Sequence, residues 1–179
     1  IHIADIHIRN LKRHKEHKEL IKKFVIDVKK IVKQNPNTIV YIGGDVAHTK
    51  TDMSPELIEM ISFLFNSLIT VTDVLLIAGN HDANLNNSSR LDALSPIVDL
   101  INRYNKNLHY LKKSDVYRFA DTDFAVFSVL DGKKIISANE CTAKNKIALY
   151  HGPTIKSVLD NGMVLNSGVN IELFDGYDM

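Results

Sequence analysis

The sequence has very little cysteine and no long apolar run. Its 179 residues include one cysteine, Cys141, which excludes an internal disulfide framework and a cysteine-rich zinc site. No apolar run approaches the roughly 20 residues that cross a bilayer, and the first residues lack a signal-peptide pattern. We therefore expect an intracellular protein with no membrane partner.

The chain also has almost no net charge and no internal division. Lysine and arginine number 22 and aspartate and glutamate 21, so the total charge indicates neither a nucleic-acid nor a membrane partner. No repeat, linker or low-complexity segment interrupts the sequence, and we expect one domain over residues 1–179. Because the chain begins with "IHIADIHI" rather than with Met, we expect that some N-terminal residues are missing.

Short β-rich runs alternate with longer segments of helical spacing, which predicts an α/β protein. Strands are predicted at 1–4, 38–43 and 73–78, each continuous enough to be buried on both faces of a mostly parallel sheet. From Leu108 onward the runs are β-rich and close together, as in an antiparallel or mixed sheet. These later runs are "LHYL", "VYRFA", "FAVFSVL" and "KIALYHG".

Three helices are predicted between the strands. The first covers about 14–34, and the third about 89–104, restarted or kinked at Pro96. In the second, "SPELIEMISFLFNSL", Ser54 is the expected N-cap and Pro55 the first helical residue. The apolar stripe expected on the first helix is Leu20, Phe24, Val25, Val28, Ile31 and Val32, and that on the second is Leu57, Ile61, Leu64, Phe65 and Leu68.

Polar clusters follow four of the apolar runs. They are "DIH" after the first, "GGDVAH" after the second, "GNHD" after the third and "HG" after a later one. Glycine, asparagine and aspartate are ordinary turn formers after a strand, but imidazole and carboxylate groups also hold metals and move protons. The carboxyl ends of strands form the ligand crevice of open α/β sheets, so the four clusters are expected to meet.

The spacing within these clusters favours a two-metal centre. Asp5 and His7 are two residues apart, so in extended chain both side chains point to one side and can hold one ion. Asp45 can bridge two ions about 3.5 to 4 Å apart, as carboxylates do in two-metal hydrolases. Asn80 and His151 would then serve the second ion, which leaves His48 and His81 for phosphate binding and proton transfer.

At these residues the chain resembles the calcineurin-like metallophosphoesterases. The order D-x-H, G-D-x-x-H, G-N-H-D and H-G spans nearly the whole chain, from Asp5 to His151. Within that superfamily the chain is most similar to the SbcD-type DNA repair exonucleases, the nuclease half of SbcCD-like complexes. Two details carry this similarity: "HIADIHI" near the start, and "GNHDANLNNSSRLDALSPI", in which a loop leads to Arg90 and Leu91 on a helix.

The resemblance implies a fold, cofactors and partners. It implies an α/β fold in which a two-sheet β-sandwich is flanked by helices, with two divalent metal ions, manganese being expected and iron or zinc tolerated. It implies hydrolysis of DNA phosphodiesters in double-strand break repair or recombination. The expected partners are DNA, an SbcC-like coiled-coil ATPase and a second copy of the full-length protein. The expected location is intracellular and DNA-associated, in the cytoplasm or nucleoid, or in the nucleus of a eukaryote.

The resemblance also implies a role for each site residue. By position, the ligands of the first ion are Asp5 and His7, the bridge is Asp45, and the ligands of the second ion are Asn80 and His151. His81 resembles the histidine that protonates or hydrogen-bonds the leaving oxygen, and His48 the residue that orients the scissile phosphate. Asp82 is expected to hydrogen-bond the imidazole of His81 or His7 and so fix its tautomer.

One family feature is absent from the sequence. The family closes its site with a G-H-x-H or similar motif after a further strand, whereas this chain ends at "FDGYDM". We expect that residues 1–179 also contain neither the family's DNA-capping domain nor its ATPase-binding segment. We therefore expect that residues 1–179 are a catalytic domain truncated at both ends.

A basic segment follows the first cluster. Nearly half of the lysines and arginines lie between Arg9 and Lys33. The four basic residues nearest the predicted metals are Arg9, Lys12, Arg13 and Lys15. They either contact a DNA backbone or form a solvated surface, and a solvated helix face is expected for Lys22 to Lys33.

Three functions remain open. The first is a metal-dependent DNA nuclease, and the second is a phosphoesterase for nucleotides or phosphoproteins, because the same metal motifs serve both. The third is a scaffold that has lost its metals, which is disfavoured because all the proposed metal and catalytic residues are present.

Overall fold

The first unit of the chain, Ile1–Leu111, is built on a parallel sheet of four strands. This computed structural model describes residues 1–10, 12–87, 89–132 and 134–179. In spatial order the strands are β1 (His2–Ile3), β2 (Val40–Ile42), β3 (Val74–Leu76) and β4 (Leu108–Tyr110). The first three lie inside the predicted runs and are shorter, because the ends of each run leave the sheet and form loops.

The run "LHYL" belongs to this parallel sheet, and its prediction as part of an antiparallel or mixed sheet was wrong. It forms β4, in which Leu108 pairs with Val74 and Tyr110 with Leu76. A helix, α3 (Ser95–Ile101), lies between β3 and β4 in the chain. A helical crossover returns the chain in the same direction, so the two strands are parallel.

The first helix, α1 (His14–Gln34), has the predicted bounds but buries a narrower stripe. Its buried side chains are Ile21, Val25 and Val28, and Phe24 and Val32 are partly buried against the core. Leu20 and Ile31 are 65% and 40% exposed, so their predicted burial was wrong. Both lie at the margins of the buried row, where the helix surface turns toward solvent.

The second helix, α2 (Pro55–Ile69), is confirmed in its start and its buried face. The Ser54 hydroxyl accepts a hydrogen bond from the amide of Leu57 at 3.2 Å, which satisfies a donor at the helix N-terminus. All five side chains predicted to be buried are buried, and so are Met60 and Ile69. The helices and the sheet share one core, whose largest fully buried side chain is Phe65.

The third helix, α3, is much shorter than the predicted range of 89–104. The carboxylate of Asp92 accepts hydrogen bonds from the amides of Leu94 and Ser95 at 3.0 and 2.7 Å. Pro96 then lies in the first turn, where its missing amide hydrogen costs nothing. Pro96 therefore begins this helix rather than restarting or kinking it.

The residues before α3 form a loop. The amide of Arg90 donates to the carbonyl of Asn87 at 3.2 Å, as in a turn, and Leu91 is 74% exposed. The expectation that Arg90 and Leu91 lie on a helix was wrong. Ser88, which belongs to the same sequence motif, lies outside the described residues.

The second unit, Lys112–Met179, contains a mixed sheet of three strands. They are β5 (Val116–Phe119), β6 (Thr122–Phe127) and β7 (Asn145–Tyr150), with β5 antiparallel and β7 parallel to β6. Short 3₁₀ helices span Ala138–Glu140 and Ile171–Phe174. A small core forms around Phe127, Ile136 and Cys141.

The predicted fold class is confirmed. The chain is a mixed α/β protein with two sheets and flanking helices. Within the residues that the structure describes, no helix is long and apolar enough to cross a membrane.

Candidate metal centre

The structure brings three of the four predicted clusters together in the first unit. One follows β1, one follows β2 and one follows β3. These strands are adjacent and parallel, so their carboxyl ends open at one edge of the sheet. The loops at this edge carry Asp5 and His7, Asp45 and His48, and Asn80, His81 and Asp82.

Asp5 and His7 do not lie in extended chain, so the geometry expected for "DIH" was wrong. Their φ angles are +55° and +48°, in the left-handed region, and that of Asp45 is +53°. The amides of Asp5 and His7 donate to the carbonyls of Gly44 and Asp45 at 3.1 and 2.9 Å, which binds the first loop to the second. Non-glycine residues rarely adopt positive φ, and such strain concentrates at functional sites.

Two glycines allow these loops to approach each other. A Cβ atom on Gly44, whose φ is +92°, would lie 2.6 Å from the amide nitrogen of Gly79. A Cβ on Gly79 would lie 2.0 Å from Oδ1 of Asp45. Both positions therefore require glycine because of close backbone approach, beyond the ordinary need for a turn.

The carboxylate of Asp45 lies between the first and third loops. Asp45 is 3% exposed, and its Oδ1 accepts a hydrogen bond from the amide of His81 at 2.8 Å. Its Oδ2 is 3.6 Å from Nε2 of His7, which is also 3.7 Å from Oδ1 of Asp5. Two carboxylates thus converge on one imidazole.

His7, His48 and His81 form a cluster of imidazoles. Their ring centroids are 4.7 Å apart for His7 and His81, 5.5 Å for His7 and His48, and 5.6 Å for His48 and His81. Nδ1 of His81 lies 2.8 Å from the carbonyl oxygen of His48. Because a carbonyl only accepts, that nitrogen carries the hydrogen, and the backbone of one site residue fixes the tautomer of another.

The predicted hydrogen bond from Asp82 to an imidazole was wrong. The carboxylate accepts from the backbone amides of Val46, Ala47 and Gly79 at 3.4, 2.9 and 2.9 Å. Asp82 is fully buried, and this burial raises its pKa to about 6, although the three amides act in the opposite direction. Its contacts join the loop after β2 to the loop after β3.

Two residues that we did not predict also hold these loops. The side-chain amide of Asn10 donates to the carbonyl of Asp52 at 2.6 Å, and its Oδ1 accepts from the amide of Ser54 at 3.1 Å. The ammonium group of Lys50 donates to the carbonyl of Asn80 at 3.1 Å. These contacts fix the segment that carries His48. No local sequence signal predicts them, because each joins residues at least 30 positions apart.

The fourth predicted cluster lies in the second unit. His151 directly follows β7 and is half-buried, as expected for a residue at the end of a strand. The next residue, Gly152, has a φ of +148°. The assignment of His151 to a second ion stays a prediction.

The basic residues near the site differ in their contacts. Arg9, Lys12 and Lys15 are exposed. Arg13 forms an ion pair with Glu16 at 2.6 Å and precedes α1 with a φ of +56°. Burial lowers the pKa of His48, and the positive charges of Arg9 and Lys12 lower it further. These two cations are therefore close enough to act on the site electrostatically.

The donor set fits divalent metal ions. Oxygen donors from Asp5 and Asp45 and imidazole nitrogen from His7 are ligands that manganese, iron and zinc all accept. Among the described residues, Nδ1 of His7 and Nδ1 of His48 are buried without a hydrogen-bond partner. Such atoms are uncommon in folded proteins, and a bound ion or a catalytic role is among the explanations for them.

Comparisons with known proteins identify a family for this chain. The family model for calcineurin-like phosphoesterase matches residues 1–174. Uncharacterized protein R555 of Acanthamoeba polyphaga mimivirus is 40% identical over 187 residues, which cover 98% of this chain and 14% of that protein. The chain therefore spans a small part of the relative that it matches. Its sequence and the candidate metal-ligating residues of the first unit lead to one conclusion: the chain belongs to the calcineurin-like phosphoesterase family, whose members are metal-dependent phosphoester hydrolases.

Proposed function

We propose that this chain is the catalytic domain of a metal-dependent DNA nuclease of the SbcD type. It would hydrolyse phosphodiester bonds at DNA ends in double-strand break repair or recombination. The observation that carries this proposal is the exposed basic segment directly after the metal-binding residues, with Arg9 and Lys12 close enough to lower the pKa of His48. A phosphate backbone needs such a surface, whereas a small phosphoester does not.

The metal ligands in the proposal are those of the sequence prediction, with Asp45 between two ions. They are Asp5, His7, Asp45, Asn80 and His151. When bound, two divalent ions would neutralise charge on the phosphoryl oxygens and would lower the pKa of a water molecule, so that it attacks as hydroxide after losing its proton to solvent. Manganese is the metal that we expect to support activity.

The chain's own residues position the substrate and move the proton. The hydrogen bond from Nδ1 of His81 to the carbonyl of His48 fixes the ring and leaves Nε2 to exchange protons. When the ring is doubly protonated, Nε2 is the atom that passes a proton to the leaving oxygen. His48 orients the scissile phosphate, and the positive charges of Arg9 and Lys12 act on its imidazole. Asp82 holds the loops that carry both histidines through its backbone hydrogen bonds.

The proposal extends to partners. As in SbcD-type enzymes, we expect an SbcC-like coiled-coil ATPase, a homodimer of the full-length protein and an intracellular, DNA-associated location. Copurification of the full-length protein with a coiled-coil ATPase from its own source would test this part.

A salt titration tests the DNA proposal. Replacing Arg9, Lys12 and Lys15 by Gln should weaken binding to duplex DNA of any sequence. It should also flatten the plot of log affinity against log salt, by up to about 0.9 for each phosphate that the protein no longer neutralises. Lys23, Lys29 and Lys33, which are exposed farther along α1, provide a matched triple replacement that should change neither quantity.

A small chromogenic phosphodiester separates DNA binding from chemistry. The triple variant farther along α1 should hydrolyse it at the original rate. The Arg9, Lys12 and Lys15 variant should lose far less of this hydrolysis than of its DNA binding, because a small substrate reaches the metals without the basic surface and feels only the altered charge near His48. An equal salt slope in the two triple variants would contradict this DNA-binding surface. Hydrolysis of small substrates without any cleavage of DNA would favour the other candidate, a phosphoesterase for nucleotides or phosphoproteins.

A further inference from the structure

The imidazole cluster offers a donor set that contains no carboxylate. One ring nitrogen from each of His7, His48 and His81 lies within 4.8 Å of the other two. Three nitrogens bound to one zinc ion at 2.0–2.1 Å in tetrahedral geometry are about 3.4 Å apart. Each nitrogen would therefore move inward by less than about 1 Å to bind one ion.

The hydrogen bonds of these rings suit metal binding. His81 donates through Nδ1 to a backbone carbonyl at 2.8 Å, the contact that a metal-ligating histidine commonly makes through its other nitrogen. This leaves the lone pair on Nε2. His7 and His48 each bury an Nδ1 atom that has no hydrogen-bond partner among the described residues. The three side chains are half-buried, so an ion can reach them.

The two donor sets of this unit differ in metal preference. Asp5, His7 and Asp45 combine carboxylates with one imidazole, which suits manganese or magnesium. His7, His48 and His81 provide imidazole alone, which suits zinc, nickel or copper, and these bind nitrogen sites more tightly than manganese does. Because His7 belongs to both sets, one ion on the three histidines withdraws it from the other set.

We propose that His7, His48 and His81 form a separate three-histidine site for a zinc-class divalent ion, and that filling it stops phosphoester hydrolysis. The inhibition rests on the proposed function, since an ion on His48 and His81 occupies the residues assigned to phosphate binding and proton transfer. The binding of the ion to the three histidines does not rest on the proposed function. The protein would be active with manganese and inhibited by zinc at concentrations that exceed its zinc dissociation constant.

Metal titration without substrate tests the binding. The metal-free chain is titrated with Zn²⁺ and, separately, with Mn²⁺, by calorimetry. His48→Gln and His81→Gln should each weaken Zn²⁺ binding at least tenfold and leave Mn²⁺ binding unchanged, because each removes a ligand from the histidine set alone. Asp5→Asn should weaken Mn²⁺ binding and leave the tight binding of Zn²⁺ to the three histidines unchanged. His109→Gln, at a half-buried histidine whose Nε2 lies 2.8 Å from Oδ1 of Asp73, is the matched control and should change neither affinity.

A cobalt spectrum and an inhibition assay complete the test. Co²⁺ on the three histidines should give the visible absorption of low coordination number, and His48→Gln should remove it. Thermal unfolding of each variant shows whether it is folded, and a variant that is unfolded is replaced by His48→Asn or His81→Asn.

Equal reduction of Zn²⁺ affinity in Asp5→Asn and His48→Gln would overturn the separate site. Zinc that binds through the histidines without lowering manganese-supported hydrolysis would overturn the inhibition.

These outcomes are distinguishable from failure of the proposed function. Zn²⁺ affinity and the cobalt spectrum are measured without DNA, so they stand if the chain cleaves only small phosphoesters. Absence of DNA cleavage with intact zinc binding would contradict the nuclease proposal alone.

Discussion

A buried aspartate in each unit of this chain accepts hydrogen bonds from distant backbone amides, but the other partners of the two carboxylates differ. Asp82, in the first unit, accepts hydrogen bonds from three backbone amides of two loops. Asp123, in the second unit, accepts from the amides of Thr142 and Ala143 at 2.7 and 2.8 Å. Asp123 also binds Nε and Nη2 of Arg118 at 2.6 and 2.9 Å. Each carboxylate holds distant backbone segments together, but among the described residues only Asp123 has a cation directly against it.

The different partners shift the pKa values of the two carboxyl groups in opposite directions. Burial, together with the like charge of Asp45, raises the pKa of Asp82 to about 6. The guanidinium of Arg118 holds the pKa of Asp123 well below its usual range. Asp123, whose negative charge is balanced by Arg118, is typical of a carboxylate with a structural role. Asp82 lies near the like charge of Asp45, so negative charge accumulates in this region. A site for divalent cations requires such an accumulation.

The largest expected effect separates the chemistry of the two regions. His81→Ala should lower turnover by roughly 10²- to 10⁴-fold with manganese occupancy retained, because it removes a general acid and no manganese ligand. Arg118→Gln should leave turnover unchanged at temperatures where the variant is folded. Steady-state kinetics and bound-metal analysis of both variants check this. Loss of manganese in His81→Ala would make His81 a ligand and contradict its assignment.

The two aspartates should give stability opposite pH dependences in the metal-free chain. An unfolded aspartate has a pKa near 4, so folded Asp82 retains its proton to higher pH than the unfolded chain does. Its contribution is greatest below about pH 4 and falls by about 3 kcal/mol as the pH rises through 6. Asp123 contributes stability above about pH 4, which is lost as the pH falls below that value.

Denaturant unfolding across this pH range measures both contributions. Asp82→Asn should remove the decline between about pH 4 and 6, and Asp123→Asn should remove the loss on the acid side. A decline between pH 4 and 6 that persists in Asp82→Asn would show that another group causes it.

A glycine comparison tests how closely the loops at the metal centre pack. Gly79→Ala should cost about 1–3 kcal/mol and weaken manganese binding, because its Cβ would lie 2.0 Å from Oδ1 of Asp45. Gly162, in the second unit, has a φ of +80° and no atom near its Cβ position. Gly162→Ala should therefore cost only the conformational penalty of about 1–2 kcal/mol, with metal binding unchanged. Unchanged manganese affinity in Gly79→Ala would contradict the close approach.

The smallest expected effect concerns hydrogen bonds in loops. Asn10→Ala should cost about 1 kcal/mol of stability and also lower kcat/KM, because Asn10 holds the segment that carries His48. Ser114→Ala, which removes comparable contacts with Asp131 and the amide of Ser128, should cost a similar amount without changing kcat/KM. An equal kcat/KM in the two variants would show that Asn10 contributes to stability alone.

Much of the architecture was predictable from local sequence. The bounds of α1 and the Ser54 and Pro55 start of α2 were predicted correctly, because spacing and capping act over about one helical turn. The same holds for the order of the polar clusters after the strands. The family follows from these clusters too, because each motif is contiguous and directly follows its own strand.

Only the tertiary structure decided how the clusters are held. The positive φ angles of Asp5 and His7 arise from hydrogen bonds to the loop after β2, and the amide partners of Asp82 include residues 35 and 36 positions away. The assignment of β4 to the parallel sheet depended likewise on how α3 returns the chain. Contacts of this kind depend on how distant segments meet in space, whereas a helix cap or an apolar stripe depends on residues a few positions apart.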